Sequence, residues 1–519
     1  MLVVRTRGVA RAALLTAACT LAAGCGSTVA GTSADGAAAQ QSTQDGLGST
    51  AGTDGAEAST TGGGLATGTG SGIGAGTGTT GGPTGTGSTG GGAAGSSTTG
   101  AVGPAAGGGS TGGRAVAPAA SGALAPGVTD TTIFVGVEDN SGNDKRLQNA
   151  GIQGTTVGSN AKRHMRQIDR INAAGGIGGR KLKAVVYDYD VNNTDYAGER
   201  QKECTYFTQD HKIFAFMGGS PYEDYRQCMA KAGVAMVNDQ TNFDAATLQR
   251  FPYTFPFSGM SLTRQAAVVV DGLHAQGFFG GGKNIGLIYS EAPEYKRNVP
   301  AVERALARYG LKIDPANEFG ISVASNQDAA SGAQAAELKF KTNNVDRVLF
   351  MANQPLFLGV FMLNASSQNY YPRYGVSSYE SPAVVEQNVP DKKQFDGLMG
   401  VGWLPYGSDV DELPAYTPLA KACVDDYRKA GITAGSQSEE SSQLLTCDLY
   451  DFFVQAVGRA GRSLNASSFT NAVRGITSLP VRYTFRVDTR PHPDGVAAVR
   501  YFRWNGSKLV YTSGERPIA

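Results

Sequence analysis

Short apolar segments alternate with longer amphipathic segments along most of the chain after residue 127, and this rhythm constrains the fold more than any other feature. Residues 132–137 have the pattern of a buried strand, and 160–173 carry apolar residues at near-helical spacing. The alternation continues to residue 237 and resumes over 284–366. Strands that alternate with helices indicate βαβ units and mainly parallel sheets. Two successive series therefore predict an α/β protein with two doubly wound lobes.

The first quarter of the chain cannot contribute to such a core. Residues 26–126 contain 32 glycines and five charged side chains, and all 44 aromatic residues lie at or after Phe134. Chains of this composition stay disordered, because they bury too little apolar surface to offset the entropy of ordering. We expect a flexible linker over 25–126 with a root-mean-square span of roughly 50–60 Å. This linker either holds the folded part at a distance from a membrane or has no selected length.

The amino terminus has the pattern of an export signal. A basic head precedes an apolar run of about a dozen residues, which is too short to span a membrane as a helix. The run ends in LAAGC at 21–25, which resembles the lipobox of bacterial lipoproteins. This resemblance implies removal of residues 1–24, lipidation of Cys25 and attachment to the outer face of the cell membrane. The alternative is a plain secretory signal with an incidental cysteine.

Charge and motif content exclude several classes of function. The formal net charge of +1 argues against nucleic-acid binding, and the four histidines stand too far apart in sequence to suggest a metal site. The Gly-rich segment 175–179 follows a helix and precedes a strand, which is the reverse of a dinucleotide-binding loop. We find no nucleophile–base pair. The sequence therefore predicts neither an enzyme nor a bound cofactor.

Four cysteines remain once the signal and Cys25 are set aside. An even number in an exported protein suggests two disulfides. Of the three possible connectivities we favour Cys204–Cys228 and Cys423–Cys447. In each pair the cysteines are 24 positions apart, on helices that we expect to be neighbours.

Polar residues follow two strands at their carboxyl ends, which is where parallel sheets bind ligands. Ser220 follows the strand at 213–217 and precedes a helix. It therefore either helps helix N–H groups to hold a ligand carboxylate or is only an ordinary helix cap. Thr241 and Asn242 follow the next strand in the same way. These residues are candidates for the mouth of a binding cleft.

The folded region resembles the periplasmic binding proteins of the branched-chain amino acid type, the solute receptors of ABC importers. The resemblance is carried by INAAGGIGGRKL at 171–182, FAFMGGS at 214–220 and the stretch 285–295, and it extends over most of 127–519. It implies a type 1 fold, in which hinge strands join two doubly wound parallel-sheet lobes and the ligand lies between them.

The same resemblance implies a division of the folded region. Lobe one is expected at about 127–256 and 379–480, and lobe two at about 257–378 and 481–519. Residues 481–511 alternate in strand fashion and are expected to supply a hairpin to lobe two.

Site residues are carried over by position. Ser220, Thr241 and Asn242 become contacts from lobe one, and Tyr295 becomes the aromatic contact of lobe two. Asn326 stands nearest to the place where amino-acid binders of the family carry an acidic residue for the ligand's ammonium group. A neutral amide cannot balance a buried ammonium group, so the resemblance does not establish an amino acid as the ligand. Amino acids, amides and carboxylates all stay open as ligand classes.

The resemblance implies a monomeric, lipid-anchored extracytoplasmic solute-binding protein. Its expected partners are a small-molecule ligand, ABC permease subunits and the membrane through its anchor. Two alternatives remain: a sensory receptor that signals to a membrane partner, and an envelope protein that has lost ligand binding. Neighbouring permease and ATPase genes would favour import, whereas a kinase or cyclase gene would favour sensing.

Overall fold

A computed structural model describes most of the chain after residue 123. The described residues are 124–142, 144–145, 158–191, 193, 195–218, 223–238, 243–281, 284–323, 326–490 and 494–518. The predicted signal, Cys25 and the predicted linker up to residue 123 lie outside these residues. The last residues of the predicted linker belong to the folded region instead: Ala125 is buried, and its N–H donates to the backbone oxygen of Leu464 at 2.9 Å.

The first sheet contains five parallel strands in the order β2-β1-β3-β4-β5. Because β1 has neighbours on both sides, the chain winds outward from it in both directions. The strands are β1 (Thr132–Asp139), β2 (Lys181–Asp188), β3 (Ala215–Met217), β4 (Ala235–Asn238) and β5 (Thr254–Pro256). The connecting helices are α1 (Asn160–Ala173), α2 (Tyr196–Thr205), α3 (Glu223–Lys231) and α4 (Ala245–Arg250).

The second sheet has the order β12-β11-β10-β9-β8-β6-β7, with β13 paired to β11. Strands β6 to β10 run parallel, whereas β11 and β12 are antiparallel additions at one edge. The strands are β6 (Ile285–Ser290), β7 (Glu318–Ile321), β8 (Arg347–Met351), β9 (Arg373–Ser377), β10 (Met399–Gly402), β11 (Ala498–Trp504), β12 (Leu509–Tyr511) and β13 (Arg516–Pro517). The accompanying helices are α5 (Leu262–Ala275), α6 (Pro293–Ala307), α7 (Asn326–Thr342), α8 (Pro355–Ser367) and α9 (Pro382–Asn388).

Three further helices complete the fold: α10 (Pro418–Lys429), α11 (Gln437–Ala460) and α12 (Ala466–Arg474). Helix α11 packs against α1 and β4, so this helical group returns to the first sheet. The two sheets with their covering helices confirm the predicted fold class, an α/β protein of two doubly wound, mainly parallel units. No helix among the described residues is both long enough and apolar enough to cross a membrane.

The strand pairing differs from the expected lobe boundary at 379. Strand β10 lies beside β9 in the second sheet, so residues 399–402 do not belong with the first sheet. The segment Met-Gly-Val-Gly is short and half glycine, and it therefore lacks the apolar alternation that marks a strand. We propose that the chain returns to the first lobe after β10. The predicted carboxyl-terminal hairpin is present as β11 and β12.

Both predicted disulfides are present. Cys204–Cys228 joins α2 to α3 with a Cα–Cα distance of 6.4 Å, and Cys423–Cys447 joins α10 to α11 with a distance of 6.5 Å. Closing a loop of this length stabilises a fold by about 3 kcal/mol. Each disulfide therefore fixes a pair of helices that cover the first sheet.

The Gly-rich segment after α1 is a turn, as its position in the sequence predicts. Gly176 has a φ of 83°, and a Cβ atom there would lie against the backbone oxygen of Arg180. The turn leads directly into β2. Glycine is therefore required for this close approach of the backbone, and no phosphate needs to be invoked.

Candidate functional site

Three polar or aromatic side chains meet at the carboxyl ends of the parallel strands in the second sheet. Tyr295 lies in the first turn of α6 after β6, Asn353 follows β8, and Glu380 follows β9. Tyr295 is only 6% exposed, and its side chain is hydrogen-bonded to that of Asn353. Burial raises the pKa of the Tyr295 hydroxyl well above its ordinary value, and the negative charge of Glu380 adds to the effect. The hydroxyl therefore stays protonated and keeps its capacity to donate.

Glu380 organises the backbone around this edge of the sheet. Its carboxylate accepts hydrogen bonds from the N–H of Asn353 at 2.9 Å, the N–H of Ser377 at 2.9 Å and the hydroxyl of Ser377 at 2.6 Å. The side chain is fully buried, and burial raises the pKa of the carboxyl although these donors oppose the rise. Glu380 thus ties the ends of β8 and β9 together.

Two residues at this edge adopt left-handed backbone conformations. Asn353 has a φ of 54° and Ser381 a φ of 46°, in a region that non-glycine residues rarely occupy. Gln265 on α5 donates from its amide nitrogen to the side-chain oxygen of Asn353 at 2.8 Å and to the Ser377 hydroxyl at 3.1 Å. Backbone conformations of this kind concentrate at ligand-binding sites, where surrounding contacts hold them in place.

Helices of the first sheet lie directly against the start of α6. Arg226 on α3 forms a 2.8 Å ion pair with Glu294, and the side chains are 0% and 9% exposed. Arg297 forms a second ion pair of 2.7 Å with Asp244, the residue that caps α4. The guanidinium of Arg226 also lies 5.0 Å from the centre of the Phe243 ring. The turn that carries Tyr295 is therefore tied to two helices that cover the first sheet.

Two hydrogen-bonded acids lie at the end of β1, the half-buried Glu138 and the buried Glu203 of α2. Desolvation raises the pKa of Glu138 to about 8, and it also raises the pKa of Glu203, which is hydrogen-bonded to Glu138 and to Tyr225. Tyr225 immediately precedes Arg226 on α3. Desolvation of both carboxyls and the charge of Glu138 beside Glu203 therefore both favour a proton shared within this pair. Within the described part of the chain, no group of three or more His, Cys, Asp or Glu residues is placed to hold a metal ion.

The structure describes some of the site residues predicted from the sequence and not others. Ser220, Thr241 and Asn242 lie outside the described residues, and Asn326 begins α7. Their proposed contacts with a ligand stay predictions, as does that of Tyr295.

Sequence reasoning missed Asn353, Glu380 and the Arg226–Glu294 pair. Asn353 directly follows the apolar run of β8, so the rule that selected Ser220 would also have found it. Glu380 and the ion pair depend on partners distant in sequence, and no local signal marks them.

The combination of two doubly wound sheets and polar residues at the carboxyl strand ends defines a two-lobed α/β binding protein. The sequence profile of the periplasmic binding proteins matches residues 151–508. The chain therefore belongs to the periplasmic binding protein family. A search of the curated proteins found no match.

Several solved structures share this fold. A fatty acid ABC transporter substrate-binding protein from Thermomonospora curvata is 19% identical with a TM-score of 0.54, and the match covers 76% of this chain and 95% of the other. A leucine-binding protein from Thermotoga maritima is 12% identical with a TM-score of 0.52, covering 75% and 99%. A solute-binding protein from R. palustris in complex with 4-hydroxybenzoate is 13% identical with a TM-score of 0.53, covering 74% and 96%. These identities support a shared fold.

Proposed function

We propose that the protein is a lipid-anchored, extracytoplasmic solute-binding protein of an ABC importer. It binds a small organic ligand between the two sheets, at the edge marked by Tyr295 and Asn353. The observation that carries this proposal is the buried turn of α6, which holds Tyr295 beside Asn353 while Glu294 and Arg297 form ion pairs with Arg226 on α3 and with Asp244 at the start of α4. Membership of the periplasmic binding protein family supports the same reading.

Ligand binding and lobe closure are coupled in this proposal. Tyr295 lies between Glu294 and Arg297 near the start of α6. A ligand contact to Tyr295 and the ion pairs of Glu294 and Arg297 therefore position the same stretch of backbone. A ligand shifts the equilibrium towards the closed form only by contacts that it makes better in that form. The ligand and the ion pairs therefore favour the same arrangement of the lobes.

The described charges favour a ligand without an ammonium group. Glu294 is paired with Arg226, and the carboxylate of Glu380 already accepts three hydrogen bonds. Burying an ammonium group without a carboxylate partner costs on the order of several kcal/mol, because its charge is left uncompensated. Of the amino acids, amides and carboxylates that the sequence leaves open, we therefore favour amides and carboxylates.

Transport, anchoring and partnership are tested together in cells. Deletion of the gene should abolish high-affinity uptake of the radiolabelled ligand, and the wild-type gene should restore it. Cys25→Ala, which removes the proposed acylation site, should release the protein from the membrane and lower uptake. Unchanged uptake in the deletion strain, together with loss of a transcriptional response to the ligand, would replace the importer with the sensory receptor.

A further inference from the structure

A cavity lies away from the Tyr295 edge. It has a volume of about 640 Å³ and is bordered by α4, β5, the amino-terminal end of α5, the end of α12 and the segment around 489–490 and 494. Small-molecule sites fall in the range of roughly 300–1,000 Å³. The residues that border the cavity include neither Tyr295 nor the Arg226–Glu294 pair.

The inner wall of the cavity is apolar. Leu248 on α4, Phe255 on β5 and Val473 on α12 contribute to it, and each of these side chains is buried to 9% exposure or less. Three rigid elements supply these side chains, so the apolar surface is already formed before any ligand enters.

One acidic residue borders the cavity, and its charge is already balanced. Asp494 is 1% exposed, accepts from the N–H of Ser261 and forms an ion pair with Arg264. Arg264 also donates to the backbone oxygen of Val496 at 2.8 Å. Asp494 therefore does not repel an anion, because it is engaged in fixing the start of α5.

The open side of the cavity carries positive charge. Arg474 and Arg490 are both exposed, and both border the cavity. Arg490 donates from Nε and Nη2 to the carboxylate of Asp488 at 3.2 and 2.8 Å, so its charge is balanced. Arg474 forms no ion pair with any acidic residue that the structure describes, and it supplies the excess positive charge. Arginine guanidinium groups bind carboxylates through paired, charge-assisted hydrogen bonds. The cavity thus combines an apolar interior with a cationic entrance.

We propose that this cavity binds an amphipathic organic anion of the medium-chain carboxylate class. The carboxylate lies at Arg474 and Arg490, and the apolar body packs against Leu248, Phe255 and Val473. Because the cavity joins β5 of the first sheet to α5, which packs on β9 and β10, its occupant contacts elements that cover both sheets. The site is independent of the proposed solute site.

Isothermal titration calorimetry of the mature protein with octanoate tests this proposal, with octanol as the uncharged probe of equal length. We expect saturable octanoate binding with a stoichiometry of one at the cavity, unchanged in Tyr295→Ala. The double variant Arg474→Gln/Arg490→Gln should weaken it by about tenfold or more. The exposed Arg308, which lies outside the cavity, supplies the matched control Arg308→Gln, and its affinity should equal that of the wild type.

Three results would overturn the proposal: no saturable octanoate binding, equal affinity for octanoate and octanol, or undiminished octanoate binding in the double arginine variant. A fourth result, loss of octanoate binding in Tyr295→Ala alone, would also overturn it, because it would assign octanoate to the solute site. Circular dichroism of each variant separates a lost contact from a lost fold. Arg474 and Arg490 are both exposed, so neither change removes buried packing.

Discussion

At the scale of single residues, the candidate site depends on side chains whose polar atoms are already oriented. Tyr295 is buried and hydrogen-bonded to Asn353, and Gln265 holds the Asn353 amide from the other side. Glu380 in turn fixes the backbone N–H of Asn353. A ligand that contacts Tyr295 therefore meets a hydroxyl whose position three other residues restrict, and little ordering entropy remains to be lost on binding.

We predict that Tyr295→Ala weakens ligand binding at least tenfold, because it removes both the ring and the hydroxyl, a loss of about 1.4 kcal/mol or more. Tyr295→Phe should show a smaller loss, since it removes only a hydrogen-bonding group worth about 1 kcal/mol. Titration calorimetry on folded variants measures both. The control is Tyr309→Ala, because Tyr309 lies beyond the end of α6 and bonds to Asp271. Unchanged affinity in Tyr295→Ala would remove Tyr295 from the site.

A second residue-scale prediction concerns His164, which is buried on α1 with its Nδ1 atom 3.1 Å from the Tyr450 hydroxyl. Burial lowers the pKa of His164 to about 3, and the charge of Arg163 acts in the same direction. The unfolded chain binds a proton near pH 6.5, whereas the folded chain does not. His164 therefore lowers the free energy of unfolding only below pH 6.5. This loss grows as the pH falls towards 3, by up to about 1.4 kcal/mol per pH unit.

Urea unfolding at pH 7 and pH 4.5 measures this effect. The loss of stability on acidification should be smaller in His164→Gln than in the wild type. The exposed His274 supplies the control variant His274→Gln, which should keep the pH dependence of the wild type. Equal pH dependence in all three proteins would show that His164 is not held neutral by the fold.

At the scale of elements, α6 connects the candidate site to the first sheet through the Arg226–Glu294 and Arg297–Asp244 pairs. The first pair is almost fully buried, whereas the Arg308–Asp271 pair near the end of the same helix is 50% and 44% exposed. The two pairs therefore differ mainly in their access to water. This difference sets the strength of the attraction in each pair, since water screens exposed charges far more than buried ones.

We predict that Glu294→Gln destabilises the protein by about 3–5 kcal/mol, because it removes the carboxylate that is ion-paired with the buried guanidinium of Arg226. Asp271→Asn, which breaks the exposed pair, should cost about 1 kcal/mol or less. The double variant Arg226→Met/Glu294→Leu should recover part of the loss, since two apolar side chains need no charge partner. Urea unfolding compares the three variants, and equal losses in Glu294→Gln and Asp271→Asn would contradict burial of the first pair.

The elements also show what the sequence can and cannot predict. Strand β1 and helix α1 follow from apolar periodicity, and both disulfides follow from the spacing of cysteines on neighbouring helices. Strand β10 escapes detection because Met-Gly-Val-Gly has no alternating pattern, and its pairing with β9 is a tertiary effect. The contacts of Glu380 and Arg226 likewise depend on how distant segments pack, which single-sequence periodicity does not encode.

At the scale of the whole molecule, the two sheets and their covering helices form the α/β fold. The match of residues 151–508 to the periplasmic binding protein family supports the same fold. The lipid anchor at Cys25 and a flexible linker up to residue 123 stay predictions from the sequence, whereas Ala125 near the end of the predicted linker is buried in the folded region. Together they would display the binding domain some way from the membrane while keeping it near a permease. A flexible tether of this kind raises the effective concentration of the receptor at its membrane partner without adding any contact.

The measurement that tests the central claim most directly is a thermal-shift screen of the mature protein against amino acids, amides, carboxylates and sugars. A ligand at about 100 times its dissociation constant stabilises the folded state by roughly 2.7 kcal/mol, which raises the melting temperature by a few degrees. We expect such a rise with an amide or a carboxylate that binds at the Tyr295 edge, and we expect that rise, unlike the one with octanoate, to be lost in Tyr295→Ala. Failure of every compound class to raise the melting temperature would contradict a solute-binding function and favour an envelope protein that has lost its ligand.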